Sequence, residues 1–396
     1  MSEALSVYSC LEAEYASSQK NQDIWGMVSL TANSLTSAPF DVDLLVILDI
    51  SEKMSLTHIE HIKQTLKRIL NRLDHRHTFS LIVGQTNCTE TPVKCTLENK
   101  RLLSSKLDSI HHPSSPNLIV ALKDMAELAS RPRETARELA VFLFSNGDLP
   151  VFPGKNIDLL TAIKCPKLYA FHVFGMGEDA NSELLCSVAN YFRGTYHHTN
   201  HLHLITDECL TRILNIRLSS VKVNLKCRDG CRLVTIRTPF PIHVRQPVKE
   251  YTIQIGSISD YESKTIVFRL SLRKVDIEHG THPLLSIEIN SLLPTGLLEK
   301  IFVRLSIIRM KGTPPPSLTP KKLQYHLNRI ATVGALGKFL EDGIEIQMPG
   351  DFKEMFSVCK SNKHMTYSMF SSQMFESLFN LALLQPVCYT EMPDVY

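Results

Sequence analysis

The run Asp43-Leu-Leu-Val-Ile-Leu-Asp49 is apolar at every position between its two aspartates. A strand with one solvated face alternates polar and apolar residues, so an unbroken run describes a strand covered on both faces. Thr78 to Val83, Leu139 to Phe144 and Leu168 to Phe174 repeat the character, which predicts four central strands. Between the first two, Ile59, Ile62, Leu66, Ile69, Leu70 and Leu73 recur at three- and four-residue spacing, the mark of an amphipathic helix. Leu118, Leu122, Met125, Leu128 and Ala129 repeat the device, as do Leu184, Leu185 and Val188. Buried strands alternating with such helices spell an α/β fold over residues 41–218, a doubly wound, mostly parallel, Rossmann-like sheet with helices on both faces.

Around Ser219 the period changes from 3.6 to 2. Val221, Val223 and Leu225 alternate with Lys222, Asn224 and Lys226, and Ile266, Phe268, Leu270 and Leu272 repeat the alternation. Residues 219–311 are therefore expected to form an antiparallel β-sandwich domain. Gly312-Thr-Pro-Pro-Pro-Ser-Leu-Thr-Pro320 lacks both periods and reads as a stiff linker over 312–320. A C-terminal helical segment over 321–396 follows, with Leu323, Leu327, Ile330, Leu336 and Leu340 as its first apolar stripe and 374–384 as a second helix. Residues 1–40 are left as an N-terminal segment with a lead-in strand.

Composition narrows the function. The 396 residues exceed the usual size of one hydrophobic core, and a 43% hydrophobic, 21% charged make-up excludes wholesale disorder. The net charge of +3 supplies no field toward nucleic acid or an anionic membrane surface, so neither is expected as a partner. No apolar run approaches the ~20 residues of a bilayer span. The N-terminus lacks the basic start and apolar core of a signal peptide, and the ten cysteines form no paired C-x-x-C set. The expectation is a cytoplasmic protein with reduced thiols.

The first strand ends in Asp49-Ile50-Ser51-Glu52-Lys53, at the carboxyl edge where open α/β sheets place ligands. Here the chain resembles a von Willebrand factor A domain, whose metal-ion-dependent adhesion site begins with Asp-x-Ser-x-Ser. Leu143-Phe-Ser-Asn-Gly147 stands where such domains carry Ser-Asp-Gly. Phe171-His-Val-Phe-Gly-Met-Gly177 with Asp179 is similar to their fifth strand and turn, and Gly194-Thr-Tyr196 to their last strand. The order of A-type domain, alternating β segment and helical segment is similar to that of plant ubiquitin ligases joining a RING finger to this module, over roughly residues 26 to 340.

The resemblance stops where ligase activity resides. A RING needs eight Cys and His ligands around two zinc ions, and only Cys10 precedes residue 41. The adhesion-site pattern is altered too. Asp49 and Ser51 match, but Lys53 replaces a Ser and Asn146 replaces the second Asp. Pro116 in Ser114-Ser115-Pro116-Asn117 replaces the loop Thr, or a shift of one leaves Ser115 as a surviving hydroxyl. The resemblance thus implies a degenerate metal site whose edge is a partner face formed by Asp49, Ser51, Glu52, Lys53, Ser114, Ser115, Pro116 and Asn146. Asp49 itself reads either as a metal ligand or as a cap of the next helix or partner of Lys53.

Three other patterns have plainer readings. Gly175-Met-Gly177-Glu-Asp-Ala180 satisfies a permissive dinucleotide fingerprint, yet Glu178 and Asp179 would face a pyrophosphate. A tight turn explains the glycines and a helix cap explains Asp179. His197, His198, His201 and His203 read as a solvated loop after the last strand, in the absence of Cys or carboxylate at finger spacing. Cys227 and Cys231 flank Arg-Asp-Gly, a hairpin signal. With no catalytic motif or cofactor fingerprint, the expectation is a non-catalytic, cofactor-free protein-interaction module. Its protein partners would include a full-length RING ligase of this kind or that ligase's substrates. The alternative is a subunit or truncated form of a RING-type ubiquitin ligase.

Overall fold

A computed structural model describes residues 4–33, 39–49, 54–83, 92–110, 118–131, 137–147, 163, 168–177, 180–198, 201–276, 278–327 and 330. The described residues up to 33 and from Arg217 onward form one compact unit, and Pro39–Ile216 form the other. In the first unit the chain begins with β1 (Leu5–Leu11), β2 (Tyr15–Ser17) and β3 (Gln22–Ala32).

The second unit runs β4 (Asp41–Asp49), α1 (Leu56–Arg72), β5 (Thr78–Val83), β6 (Val93–Lys94), α2 (Leu97–Asp108), α3 (Leu118–Ser130), β7 (Arg137–Ser145), β8 (Ala170–Gly175), α4 (Ser182–Tyr191), β9 (Thr195–His198) and α5 (Leu202–Leu214). Its sheet has the order β6-β5-β4-β7-β8-β9, with β6 alone antiparallel to its neighbour. Alternate β4 side chains enter two cores. Val42, Leu44, Val46 and Leu48 meet α1, α2 and α5, whereas Leu45 and Ile47 meet α3 and α4. The apolar run thus has the doubly covered surroundings that its composition demands.

Helix α1 begins where Ser55 accepts a hydrogen bond from the His58 amide, and Ile59, Ile62, Leu66, Ile69 and Leu70 are buried along one stripe. The carboxylate at the start of the β4 run is buried but not isolated. Arg137 on β7 donates to Asp43 Oδ1 from Nε at 2.9 Å and from Nη2 at 2.7 Å, and the Thr78 hydroxyl on β5 donates to the same oxygen at 2.7 Å. The remaining Arg137 nitrogen donates to the Arg76 carbonyl at 2.9 Å. One guanidinium on β7 therefore ties β4 and the turn leading into β5 at the amino edge of the sheet.

The sandwich unit continues with β10 (Ile216–Cys227), β11 (Cys231–Arg237), β12 (Ile242–Gln246), β13 (Glu250–Ser259), β14 (Ser263–Leu272), β15 (His279–Leu292) and β16 (Leu298–Met310). Its sheets have the orders β1-β3-β14-β11 and β12-β13-β10-β15-β16-β2. Strand pairing, a non-local fact, thus gives the segment 1–40 a larger role than that of a lead-in. β3 sits between β1 and β14, and β2 adds a parallel edge to β16. The change of period expected at Ser219 falls inside β10, whose register shifts between Ser219 and Lys222 and whose Ser220 has φ 53°. The Arg228–Gly230 turn does not close a hairpin: Cys227 belongs to one sheet and Cys231 to the other. Arg309 is fully buried and donates to the carbonyls of Ser17 at 2.6 Å and Arg273 at 2.8 Å.

Residues 312–320 have no regular structure, and helical residues 321–327 follow. Leu323 is buried against Met27 and Val267. The second helix expected over 374–384 lies outside the described residues, as do Leu336 and Leu340.

The Asp43–Arg137 pair has both side chains only 10% exposed, so removing one partner leaves a buried charge uncompensated. Arg137→Ala is expected to lower unfolding stability by about 3–5 kcal/mol in a urea titration. Arg68→Ala, which breaks an exposed pair with Asp207, should cost less than about 1 kcal/mol.

Candidate functional site

The carboxyl edge of the parallel sheet is built from the ends of β4, β7 and β8. Asp49 closes β4 at 1% exposure and lies beside Ser145 in the β4–β7 register. The Ser145 hydroxyl donates to Asp49 Oδ2 at 2.6 Å and accepts from the Gly147 amide at 2.9 Å. A short O–H···O⁻ bond of this kind is charge-assisted and positions the carboxylate. Asn146 is buried, and its carbonyl accepts from the Asn181 amide at 2.8 Å.

Gly147 has φ +72°, and a Cβ there would stand 3.0 Å from the Asn181 Cβ, so both backbone conformation and space call for glycine. Asn181 also caps α4 by accepting from the Leu184 amide at 3.1 Å. This corrects the expectation for Asp179: the cap is two residues later, where the side chain reaches the first free amides of the helix. Ser55 likewise caps α1, so the cap alternative for Asp49 is replaced by the Ser145 bond.

Of the residues expected on the partner face, the structure brings Asp49 and Asn146 to the ends of adjacent strands. Ser51, Glu52, Lys53, Ser114, Ser115 and Pro116 lie outside the described residues. Gly175, of the dinucleotide-like pattern, has a steric reason to be glycine: a Cβ would stand 2.9 Å from Tyr196 Cε2. Tyr196 bonds with Ser182 at 2.9 Å across the same turn.

Residues 42–198 match the family model for the von Willebrand factor type A domain. The α/β unit has the fold of a von Willebrand factor A domain. The chain is also similar to the solved structure of a von Willebrand factor type A protein from Catenulispora acidiphila, at 13% identity and TM-score 0.67, over 86% of this chain and 82% of that one. It is similar to the ArnB paralog VWA2 from Sulfolobus acidocaldarius, at 14% identity and TM-score 0.60, over 96% of both chains. At such identities the likeness is one of fold. No curated protein matches the chain.

The structure also assembles a group that sequence spacing did not reveal. His172 on β8, His197 on β9 and Cys209 on α5 bring one donor atom each to within 4.8 Å of one another. The expectation of a solvated loop fails for His197 and His198, which are the last residues of strand β9 and are half-buried. Burial pushes the His172 imidazole down to about 4, aided by Arg212, and holds His197 well below the usual range. Burial also raises the Cys209 thiol to about 12. The signal for this group was the period of two on adjacent strands, which needs the strand pairing to be read.

Because the Ser145 hydroxyl is buried against Asp49, Ser145→Ala leaves that carboxylate one donor short. Urea unfolding should register a loss of about 1–3 kcal/mol.

Proposed function

We propose that the chain is a non-catalytic protein-interaction module whose A-domain edge around Asp49 works without a shared metal ion. von Willebrand factor A domains are generally protein-interaction modules, and the observation that carries the finer reading is the Asp49–Ser145–Asn146 arrangement. A hard divalent cation is held by several oxygen donors with compensating negative charge. Here Asp49 accepts a hydrogen bond from Ser145, its partner in register at the end of β7, and the next residue is the neutral amide Asn146. In the sequence, Lys53 and Pro116 stand where hydroxyls belong in the family pattern. The donor set does not fit the ion.

Electrostatics gives the size of the effect. Relative to the family pattern, Asn146 removes one negative charge and Lys53 adds a positive one. At an effective dielectric near 20, a unit charge ~4 Å from a dication changes its energy by ~8 kcal/mol before relaxation. Even a heavy discount leaves a penalty comparable to the ~4 kcal/mol of a ~1 mM site. Recognition then runs through the side chains of the edge: Asn146, and by the family pattern of the sequence Glu52, Lys53, Ser114 and Ser115. Calorimetric titration with Mg²⁺ and Mn²⁺ is expected to show no submillimolar binding at this edge. Lys53→Ser with Pro116→Thr and Asn146→Asp should create it. Submillimolar binding by the unaltered chain that Asp49→Ala abolishes would sink this reading.

The order of an A domain, a sandwich and a terminal segment supports a relationship to the plant RING ligases, as a relative whose 396 residues carry no RING-type ligand set. Its partners are then a full-length ligase or that ligase's substrates, met in the cytoplasm. The free thiols among the described cysteines accord with that compartment. The competing reading is a ligase subunit. Purified chain with activating and conjugating enzymes is expected to show no autoubiquitination above a no-protein control; activity by the chain alone would favour the competing reading.

A further inference from the structure

We propose that His172, His197 and Cys209 form a zinc-class metal site beneath α5, separate from the Asp49 edge and independent of how that edge recognises partners. The two histidines come from neighbouring parallel strands. His172 pairs in register with Thr195 and His197 with Phe174, so the period of two aims both imidazoles at the sheet face that α5 covers. Cys209 descends from α5 and is buried.

Two of the three separations are those of a coordination sphere, and the third is within 4.8 Å, a span that a small rotation of the side chains closes. His172 Nδ1 and His197 Nε2 are 3.1 Å apart, and Cys209 Sγ is 3.6 Å from the same His197 Nε2. A tetrahedral ion with metal–nitrogen bonds of ~2.0–2.1 Å and a metal–sulfur bond of ~2.3 Å places its ligands ~3.3 Å apart for N···N and ~3.6 Å for N···S. Both observed distances agree with that geometry to within a few tenths of an ångström.

The rings are also held in place. Phe142 meets His172 edge-on with centroids 5.5 Å apart, and Phe174 stacks on His197 at 5.2 Å. Preorganised imidazoles lose little freedom on binding, which favours affinity, and three protein ligands leave the fourth tetrahedral position to a water. The donor chemistry selects the ion. Two imidazole nitrogens and a thiolate suit Zn²⁺ and Co²⁺, and not the oxygen-seeking Mg²⁺ or Ca²⁺. The nearby Arg212 is half exposed and pairs with Glu208 at 2.8 Å, so its charge has a carboxylate of its own. Binding would pin α5 to the edge strand β9. Without metal, His197 Nε2 lies within hydrogen-bond reach of both neighbours, and its tautomer decides which of them it pairs with.

Cobalt distinguishes the two states in the full-length chain. Chelator-treated protein titrated with Co²⁺ is expected to bind one equivalent at this site, with a thiolate-to-cobalt charge-transfer band in the near ultraviolet and intense tetrahedral bands in the visible. Zn²⁺ should displace it and raise the unfolding temperature. Cys209→Ser should abolish the charge-transfer band. His172→Gln and His197→Gln should each weaken binding by about 100-fold or more, at or beyond the upper end of the ~10–100-fold range for outer-shell losses. Cys95→Ser, a buried thiol elsewhere in the domain, should leave the spectrum unchanged. A folded chain that shows no thiolate band at millimolar Co²⁺ overturns the proposal. So does a band that survives Cys209→Ser, or zinc binding to which neither histidine contributes. Should Cys209→Ser not fold, the wild-type cobalt spectrum and the two histidine variants still decide.

Discussion

The α/β unit depends on burying both faces of β4, and the difficulty lies at the ends of that strand. Its apolar middle gains by leaving water on either side, but Asp43 and Asp49 bracket it, and both are nearly inaccessible to solvent. A buried carboxylate is tolerable only when charge or donors meet it. At the amino end Asp43 takes the Arg137 guanidinium and the Thr78 hydroxyl. At the carboxyl end Asp49 takes the Ser145 hydroxyl. The donors come from β5 and β7, the two strands flanking β4, so the same interactions that satisfy the charges also fix how the neighbours align with it. Register, in this sheet, is set by polar groups at its two edges as well as by the apolar pattern between them.

That arrangement bears on function at the carboxyl edge. There Asp49 is engaged by the Ser145 hydroxyl, and the residue that follows Ser145 is the neutral Asn146. The fold is that of von Willebrand factor A domains. The sandwich shows a comparable economy of polar groups. Buried Arg309 satisfies the carbonyls of Ser17 and Arg273, and so holds segments that are distant in sequence.

Much of this was legible from the residues. The strand run from Asp43 to Asp49, the helix stripe from Ile59 to Leu70 and the alternation through Val221, Val223 and Leu225 each carry their period in a few consecutive residues. Each formed the expected element. Helix caps were less legible, because Asp179 and Asn181 are equally good capping types and only the backbone decides which one faces the free amides. The role of residues 4–33 was not legible for a related reason: β1 and β3 find their partners in each other and in β14, more than 230 residues along the chain.

The sequence by itself determined the two periodic regimes, the doubly buried strand with its bracketing aspartates, and the neutral or basic residues at Lys53, Pro116 and Asn146. These are properties of composition and local spacing, and burial of apolar surface acts on them directly. Only the tertiary structure decided that Ser145 would serve Asp49, that residues 4–33 would complete the sandwich, and that His172, His197 and Cys209 would converge. Each of these needs strands or helices from separate parts of the chain to be placed within a few ångströms, and no periodicity encodes which strand lies beside which. Pairing is selected by the total burial and hydrogen bonding of the folded unit, a sum over the whole chain.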